Sequence, residues 1–540
     1  MAGASTARAG GGDWTPERSV AGRHNPWSIV AVISIATFMT VLDTSIVNVA
    51  LDHIASNLSA SYDEATWVTT TFLAASAIVI PISGWLANVI GRKRYYMMSV
   101  ALFTVASFLC GISPNLTVLI LARALQGVAG GGLAAVEQSM LADTFPPKQR
   151  GMAFAAYGMV VIVGPIFGPI LGGWITDHTS WRWCFLINVP IGLVSLFLVG
   201  IFVAEAEALK RDRKALLKRG LKMDVVGFVL VALFLGGLEL TLDRGQSNDW
   251  FSSTFITTMA VIAALSLIVF IPWELTREEP IVPIAMFARR NFSIASTFLL
   301  LTGTVLFGTT LFIPQLLQEV MGYTATDAGL ALTAGGVATI IMMPLAGYLS
   351  GRADARMLIA AGFGVQVLAL LYMSHLSTDM AFGNAAWARA IQSVGLPFLF
   401  VPVTAVAYIG LAPNESNQAS AMMNVARNLG GTIGISSTQI LLAQRQQFHQ
   451  TRLVETLNPL NPNYTDYLNS LTHALVGRGQ VALQASGEAM GTLYASVERQ
   501  ALMLSFIDVF HALMIVILAA IPLLLLMQPG KHSAAARGGV

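Results

Sequence analysis

The chain has 540 residues, of which 55% are hydrophobic and only 11% are charged. Soluble domains carry about 25% charged residues, so this composition excludes an ordinary soluble protein and predicts an integral membrane protein. The net charge of +2 gives no sign of a nucleic-acid-binding face. We expect Cys110 and Cys184, which stand in apolar surroundings, to be small buried side chains. No metal-ligand spacing occurs, and we expect neither a metal site nor a cofactor.

Fourteen apolar segments of membrane-spanning length follow one another along the chain and predict an all-α integral membrane protein. They cover residues 27–51, 65–90, 95–113, 116–141, 152–176, 183–203, 224–242, 254–273, 294–317, 327–350, 357–376, 385–411, 418–443 and 505–527. Residues 1–26 are small, polar and rich in glycine, which predicts a disordered tail. The first apolar segment is too long for the apolar core of a cleaved signal peptide, so we expect it to remain as the first helix.

Lysine and arginine residues are concentrated in alternate loops. Of the 31, 22 lie in one set of loops and the two tails, six lie in the other set, and three lie inside apolar segments. The basic side of a membrane protein faces the cytoplasm, so this distribution predicts that both termini are cytoplasmic. The loop 204–223 contains "KRDRKALLKRGLK", which is most simply an orientation anchor beside anionic lipid.

A sequence repeat relates two parts of the chain. "LARALQGVAGG" (121–131) recurs as "WARAIQSVGLP" (387–397), and "GWLANVIGRKR" (84–94) is echoed by "GYLSGRADAR" (347–356). Two related halves are typical of secondary transporters. We therefore predict a cytoplasmic tail 1–26, a six-helix bundle 27–203, a basic loop with two inserted helices 204–293, a second six-helix bundle 294–527 and a cytoplasmic tail 528–540.

The first apolar segment contains a carboxylate, Asp43. A charge at the centre of a spanning helix costs about 2.5–3.5 kcal/mol on insertion scales, so it needs a reason to be there. Beside it, Thr37, Thr40, Thr44 and Asn48 recur at steps of three and four and share one face of the helix. The functional interpretation is that Asp43 binds and releases a proton. The alternative is a structural hydrogen-bond acceptor inside the bundle.

Three arginines also lie within apolar segments. Arg123 is either a counter-charge that takes part in coupling with Asp43 or one half of a structural ion pair. Arg389 and Arg427 have the same two interpretations. In the repeat, Arg123 and Gln126 correspond to Arg389 and Gln392.

Glu137 and Glu239 are the remaining acids in apolar surroundings. Each either contacts a proton or a cation or lies at a solvated helix end. The candidate proton or substrate contacts are therefore Glu137, Glu239, Asn48, Gln126, Arg389 and Arg427.

The fifth segment reads "GMVVIVGPIFGPILGG" (158–173). Glycine and proline at this density predict a kinked helix with a close-packed face. The helix could bend during a change of access, or the small residues could serve packing alone. The residues concerned are Gly164, Pro165, Gly168, Pro169 and Gly172.

The ordered set of motifs resembles the major facilitator superfamily. It comprises "LDTSIVNVAL" on the first helix, "GWLANVIGRKR" after the second, "LARALQGVAGG" on the fourth and "GPIFGPILGG" on the fifth. The fourteen helices, "WRWCFLINVPIG" (181–192) and the long last outer loop narrow the resemblance to drug:H⁺ antiporters of the EmrB/QacA type, over residues 27–527. The resemblance implies the major facilitator fold, with two six-helix bundles plus two inserted helices.

The resemblance also assigns roles to individual residues. It implies that Asp43 is the acid linked to proton or substrate coupling, that Arg123 belongs to the same machinery, and that Gly164 and Pro165 form the core of the antiporter motif. The gating loop would comprise Gly84, Asn88, Gly91 and Arg92. Asn88 stands where the family usually has an acid, so it cannot form the gate ion pair. Asp52 replaces a common proline, and we expect it to be a solvated cap at the outer end of the first helix.

The function implied is proton-coupled export of amphipathic and hydrophobic drugs by alternating access, with no enzymatic activity and the proton as the coupling ion. It would act in a Gram-negative inner membrane, together with a periplasmic adaptor and, through it, an outer-membrane channel. The outer segment 444–504 is either an ordered hairpin that contacts that partner or an external cap. A dedicated exporter of one metabolite, such as a fatty acid or a siderophore, is the alternative. A membrane-embedded enzyme or receptor is least favoured.

Overall fold

A computed structural model of the chain describes residues 19–22, 24–218, 223–277, 280–378, 380–411 and 415–528. The regular structure of these ranges is helical, and no strand occurs in them. The α-helices are α1 (Pro26–Asn57), α2 (Tyr62–Ile90), α3 (Arg92–Gly111), α4 (Leu116–Gly130), α5 (Leu133–Thr144), α6 (Pro147–His178), α7 (Trp183–Leu186), α8 (Asn188–Phe202), α9 (Glu207–Lys218), α10 (Val225–Arg244), α11 (Thr254–Leu275), α12 (Arg290–Gln315), α13 (Ala325–Ser350), α14 (Ala355–Met373), α15 (Phe382–Ala407), α16 (Ser416–Glu455), α17 (Pro462–Gly477), α18 (Ala482–Ala520) and α19 (Leu523–Leu526).

Twelve helices or helix runs of the described chain are long and apolar enough to cross a membrane. The number of candidate spans becomes thirteen when α6 is included. Its two arms meet at 41° between Pro165 and Ile170 and are then counted as one span. The remaining predicted segment, 418–443, lies in α16, which is less apolar but packs inside the bundle against α12, α2 and α18. The all-α membrane fold and the kink in α6 are confirmed.

The same helix pairs recur in the two parts of the bundle. In the first part, α1 packs on α6, α2 on α4 and α3 on α8; in the second, α12 packs on α16, α13 on α15 and α14 on α18. The parts meet where α6 crosses α13 and where α2 crosses α16, while α10 pairs with α11 and rests against α2. The domain limits 27–203 and 294–527 stay a prediction.

Several predicted boundaries are corrected by the structure. The fourth segment is interrupted at Gly131 and Gly132, between α4 and α5, and the sixth is interrupted between α7 and α8. The first helix continues to Asn57, so Asp52 is an exposed residue within it and not its cap. Both cysteines are buried and free, as expected.

The predicted disorder of 1–26 is wrong for the part of the tail that the structure describes. Val20 and Ala21 are each only 2% exposed, and the Ala204 amide donates to the Val20 carbonyl (2.7 Å). Residues 1–18 and Arg23 lie outside the described residues, as do residues 529–540 at the C-terminus. The end of the bundle at which residues 91–94 and α9 lie is called the basic end below. There Arg213 of α9 donates to the Ile90 carbonyl (3.0 Å) at the end of α2.

The segment 444–504, predicted to lie on the outer side, forms a helical hairpin. The α16 helix continues to Glu455, α17 follows, and α18 returns from Ala482. Arg445 and His449 of α16 bond to Asp508 of α18, and α17 packs on α18 around Leu475. The prediction of an ordered hairpin is confirmed, while its contact with a partner stays a prediction.

The face between α1 and α6 depends on glycine. A Cβ on Gly168 would lie 2.2 Å from the Ser45 hydroxyl oxygen, and one on Gly172 would lie 3.0 Å from the Ile46 Cγ1. Such distances are shorter than van der Waals contact, so the two helices can pack at this separation only without side chains there. The small residues of "GPIFGPILGG" therefore hold α6 against the helix that carries Asp43.

We predict that Gly168→Val lowers the thermal unfolding midpoint of the detergent-purified protein, because overpacking a close helix contact costs about 1–3 kcal/mol. The matched control is Gly173→Val on the same helix, where an added Cβ meets nothing within 4 Å. Equal losses in the two variants would contradict the packing argument, because both carry the same change in helix propensity.

Candidate functional site

Asp43 forms the centre of a buried polar cluster. Its Oδ2 accepts a hydrogen bond from the Arg123 guanidinium (2.6 Å), and its Oδ1 accepts from the side-chain amides of Gln126 (2.8 Å) and Asn188 (2.7 Å). The side chains of Asp43 and Arg123 are both 0% exposed. Four helices meet here, since Gln126 also donates to Ser107 of α3 (2.8 Å).

The Arg123 guanidinium is held on several sides. Its Nε donates to the Val68 carbonyl (3.0 Å), its Nη1 donates to Gln126 Oε1 (2.7 Å), and its carbon lies 4.2 Å from the Phe72 ring centroid. A buried ion pair breaks even only when further hydrogen bonds compensate both partners. This cluster satisfies both oxygens of Asp43 and two nitrogens of Arg123, whereas the Arg123 Nη2 has no partner among the described residues. The predicted pairing of Arg123 with Asp43 is present, and Gln126 joins it.

Two members of this cluster were not predicted. Asn188 begins α8 within the quoted "WRWCFLINVPIG", and Ser107 lies in α3. An amide inside an apolar motif was a usable signal for Asn188, since an unpaired amide in a membrane is costly. No comparable signal marked Ser107, because isolated serines are common in spanning helices.

The repeat places Arg389 in a different environment from Arg123. Its guanidinium donates to Gln392 Oε1 (2.7 Å), as the repeat predicts, and to the Thr310 hydroxyl (2.9 Å) of α12. Thr309 occupies the place of the acid, accepting from Gln392 (2.6 Å). Among the described residues neither Arg389 nor Arg427 forms an ion pair, so that alternative is wrong for both. Arg427 donates to Asn424 Oδ1 (2.8 Å).

Glu137 is completely buried, at 0% exposed, so the solvated helix end is wrong for this residue. Its Oε2 accepts a hydrogen bond from the Thr37 hydroxyl of α1, and its Oε1 has no partner in the described chain. The hydroxyls of Tyr96 and Tyr157 lie beside the carboxyl. Tyr96 donates to the Ile33 carbonyl (3.1 Å), whereas the Tyr157 hydroxyl has no partner among the described residues.

Glu239 on α10 is also buried, at 6% exposed, and a solvated helix end is wrong here too. Its carboxylate accepts from the Thr432 hydroxyl of α16 (3.0 Å). Arg244, at the end of α10, donates to the Asp63 carbonyl at the start of α2 (3.0 Å). The inserted helix α10 is thus anchored to α2 and reaches α16 through Glu239.

The gating-loop residues lie where the two parts of the bundle meet at the basic end. Asn417 of α16 donates to Asn88, and a Cβ on Gly84 would lie 3.0 Å from the Asn417 carbonyl oxygen. Gly91 has a φ of 99°, which favours glycine, and turns the chain so that Arg92 pairs with Asp143. The contact at Asn88 is therefore a neutral amide pair, as the replacement of the acid implied.

Further contacts close the basic end. Asn424 of α16 donates to Gln138 of α5 (3.0 Å), and the Phe154 and Tyr408 rings stack with centroids 5.7 Å apart. By contrast, Asn48, toward the other end of α1, is exposed. The structure thus represents a state in which the two parts are joined at the basic end.

A bundle of repeated six-helix units with charged side chains buried at mid-membrane defines a multi-pass membrane transporter. Residues 33–435 match the family model of the Major Facilitator Superfamily, and the chain belongs to that family.

Similar proteins include "Multidrug export protein EmrB" of Escherichia coli (strain K12), 38% identical over 479 residues, 88% of this chain and 90% of that protein. "Fatty acid resistance protein FarB" of Neisseria gonorrhoeae is 34% identical over 501 residues, 93% of this chain and 96% of that protein. Among solved structures, the proton:xylose symporter XylE matches with a TM-score of 0.56 and 14% identity, covering 77% of this chain and 88% of that chain, which shows the fold alone.

We predict that Arg123→Met destabilises the protein more than Arg389→Met does. The first change leaves Asp43 buried without its counter-charge, which costs about 3–5 kcal/mol. The second removes a buried charge that has no acidic partner in the described chain. The protein loses the hydrogen bonds of Arg389 but no longer bears the cost of desolvating its charge, so the two effects largely offset each other. Thermal unfolding of the two purified variants measures the difference. Equal midpoints would contradict the assigned pairing.

Proposed function

We propose that the protein is a proton-coupled antiporter that exports amphipathic and hydrophobic toxic compounds by alternating access. The observation that carries the proposal is the Asp43–Arg123 pair, a charged cluster with no exposed atoms in the middle of a spanning bundle. Such clusters are expensive in a membrane and mark ion pathways. The similarity to proteins named for multidrug export supports drugs as the substrates.

The geometry supports a switch at Asp43. With the carboxylate ionised, one oxygen pairs with Arg123 and the other accepts from Gln126 and Asn188. A proton on Asp43 cancels the attraction to Arg123 and converts one acceptor into a donor. The four helices that meet there then lose part of what holds them in this arrangement, and the two states of the bundle change in relative free energy.

Access would alternate through the contacts at the basic end. Those described above are mostly neutral hydrogen bonds and close approaches of glycine, such as Asn424 to Gln138 and Gly84 to Asn417. Each neutral hydrogen bond contributes only about 0.5–1.5 kcal/mol, so the set can open and reform during a transport cycle. The bend of α6 beside Gly164 and Pro165, with Pro169 in the same stretch, lies next to the helix that carries Asp43 and can transmit the change.

The basic end would face the cytoplasm, in the inner membrane of a Gram-negative cell, with both termini inside. The helical hairpin at the other end would then project into the periplasm. Leu460 and Leu483 on it are 92% and 86% exposed, so the hairpin offers apolar side chains that a periplasmic adaptor could contact. Through that adaptor the transporter would reach an outer-membrane channel.

A dedicated exporter of one metabolite is the second candidate. The similarity to FarB, whose name refers to fatty acid resistance, favours a fatty acid among such substrates. A panel that compares a fatty acid with cationic drugs separates the two candidates. An enzyme or a receptor is the least favoured class, because the chain belongs to a transporter superfamily.

We expect Asp43→Asn to abolish accumulation of a drug driven by a pH gradient in proteoliposomes, because asparagine cannot take up the proton that switches the bundle between its two states. Exchange of drug across the membrane without a gradient should persist. The control is Asp52→Asn, the same change at an exposed position of the same helix. Normal gradient-driven accumulation by a folded Asp43→Asn protein would show that this carboxylate is structural.

We expect removal of 456–481, with α16 joined to α18 by a short Gly/Ser linker, to leave drug transport in proteoliposomes intact and to abolish resistance in cells. The bonds of Arg445 and His449 to Asp508 keep the two long helices paired after the removal. Resistance at the natural level, with the variant present in the membrane in normal amount, would exclude a docking role for this hairpin.

A further inference from the structure

The threonine stripe of α1 leads to Glu137 and not to Asp43. Thr37, Thr40, Thr44 and Asn48 follow one another at steps of three and four, so they share one face, and Thr37 donates to Glu137. Asp43 points from a different face of the same helix toward Arg123. The proposed switch at Asp43 therefore leaves this stripe, and the carboxyl at its end, without a role.

Solvent exposure falls steadily along the stripe. Asn48 is exposed, Thr44 and Thr40 are half-buried, and Thr37 is 3% exposed. Asn48 lies on the same face of α1 as Thr37, toward the end remote from the basic end. The stripe thus forms a row of polar side chains that runs from an exposed amide to the buried carboxyl of Glu137.

Glu137 has the surroundings of a neutral acid. One oxygen accepts from Thr37, the other has no partner, and no basic side chain of the described chain forms an ion pair with it. The titratable and charged groups that face it are Tyr96 of α3 and Tyr157 of α6, with Arg427 of α16 beyond Tyr157. A carboxylate buried without a counter-charge is very costly. The Tyr157 hydroxyl, which has no partner among the described residues, lies beside the carboxyl and can accept the O–H of its protonated form.

The neighbouring residue belongs to the closed contact. Gln138 accepts from Asn424 (3.0 Å), so the same turn of α5 holds the buried carboxyl on one face and the joint between the two parts of the bundle on the other. Opening of the basic end would separate Gln138 from Asn424 and would bring water to this turn.

We propose that Glu137 carries a second transported proton. The proton enters from the outer solution along the threonine stripe, binds to the free oxygen of Glu137, and is held as a carboxyl O–H while the basic end is closed. When that end opens, the O–H bond breaks, the proton passes to water on the basic side, and the carboxylate becomes hydrated. The inference rests on the proposed function, which it deepens by assigning two proton sites to one transport cycle.

The test is the number of protons moved per molecule of rhodamine 6G in proteoliposomes, measured from pH and dye signals together. Glu137→Gln, which keeps a neutral side chain of the same length, should move one proton fewer. At a pH gradient of one unit its steady-state accumulation of dye should fall about tenfold. Glu207→Gln, at a surface position paired with Lys210, is the matched carboxyl-to-amide control. An unchanged proton count in Glu137→Gln overturns the proposal.

Infrared spectroscopy provides a readout that does not depend on transport or on the folding of Glu137→Gln. The natural protein at neutral pH should show the carbonyl band of a protonated carboxyl, and Asp43→Asn should retain it. Tyr157→Phe should shift that band, because the acceptor of the O–H is removed. A spectrum without the band, or a band that does not respond to Tyr157→Phe, overturns the proposal.

The two experiments separate this inference from the proposed function. If the natural protein accumulates no dye under a pH gradient, coupled antiport fails, and the infrared band alone decides whether Glu137 holds a proton. If Asp43→Asn abolishes coupling while the proton count of Glu137→Gln equals that of the natural protein, only the second proton site fails.

Discussion

The ion pair between Asp43 and Arg123 is the constraint on which the rest of the first half depends. Two charges in a membrane interior need compensating hydrogen bonds, which Gln126 of α4 and Asn188 of α8 supply to Asp43, with Ser107 of α3 accepting from Gln126. These requirements fix how α1, α3, α4 and α8 are each rotated about their own axes, because all four must turn a polar side chain toward the same cluster. The glycines of α6 then allow a fifth helix to pack closely against α1. A proton added to Asp43 in the proposed cycle would act on all of these contacts together.

The two halves share their helix pairings but not their electrostatics. The Arg–Gln pair of the repeat is present in both, yet Thr309 and Thr310 replace the carboxylate in the second half. A hydroxyl does not change its charge with pH, so in this pair of sites a proton can act only on the first half. We infer that the repeat supplies the common scaffold and that the single acid makes the two halves respond differently to the same proton gradient.

The basic end is held closed mainly by weak, neutral contacts. They fit the two parts of the bundle together but bind them only weakly. Asn88 meets Asn417 as one amide meets another, and the charges nearby, Arg92 and Asp143, pair within the first half, where Asp143 also accepts from the Ser416 hydroxyl of α16 (3.2 Å). Because the ion pair need not break when the halves separate, opening breaks the bond from Ser416, neutral hydrogen bonds and apolar contacts. The replacement of an acid by Asn88, a departure from the family pattern, is compatible with a working gate.

The sequence by itself determined the membrane class, the all-helical architecture and the repeat, because hydropathy and local spacing carry that information. It also identified Asp43, Arg123 and Gln126, because polar residues in apolar segments are conspicuous. It did not reveal Asn188 and Ser107 as partners, nor that Arg389 lacks an acid, since these facts depend on which helix faces which. The burial of Glu137 and the unpaired oxygen of its carboxyl were likewise decided by the tertiary structure. A linear pattern places a residue on a helix, but only helix packing determines what surrounds it.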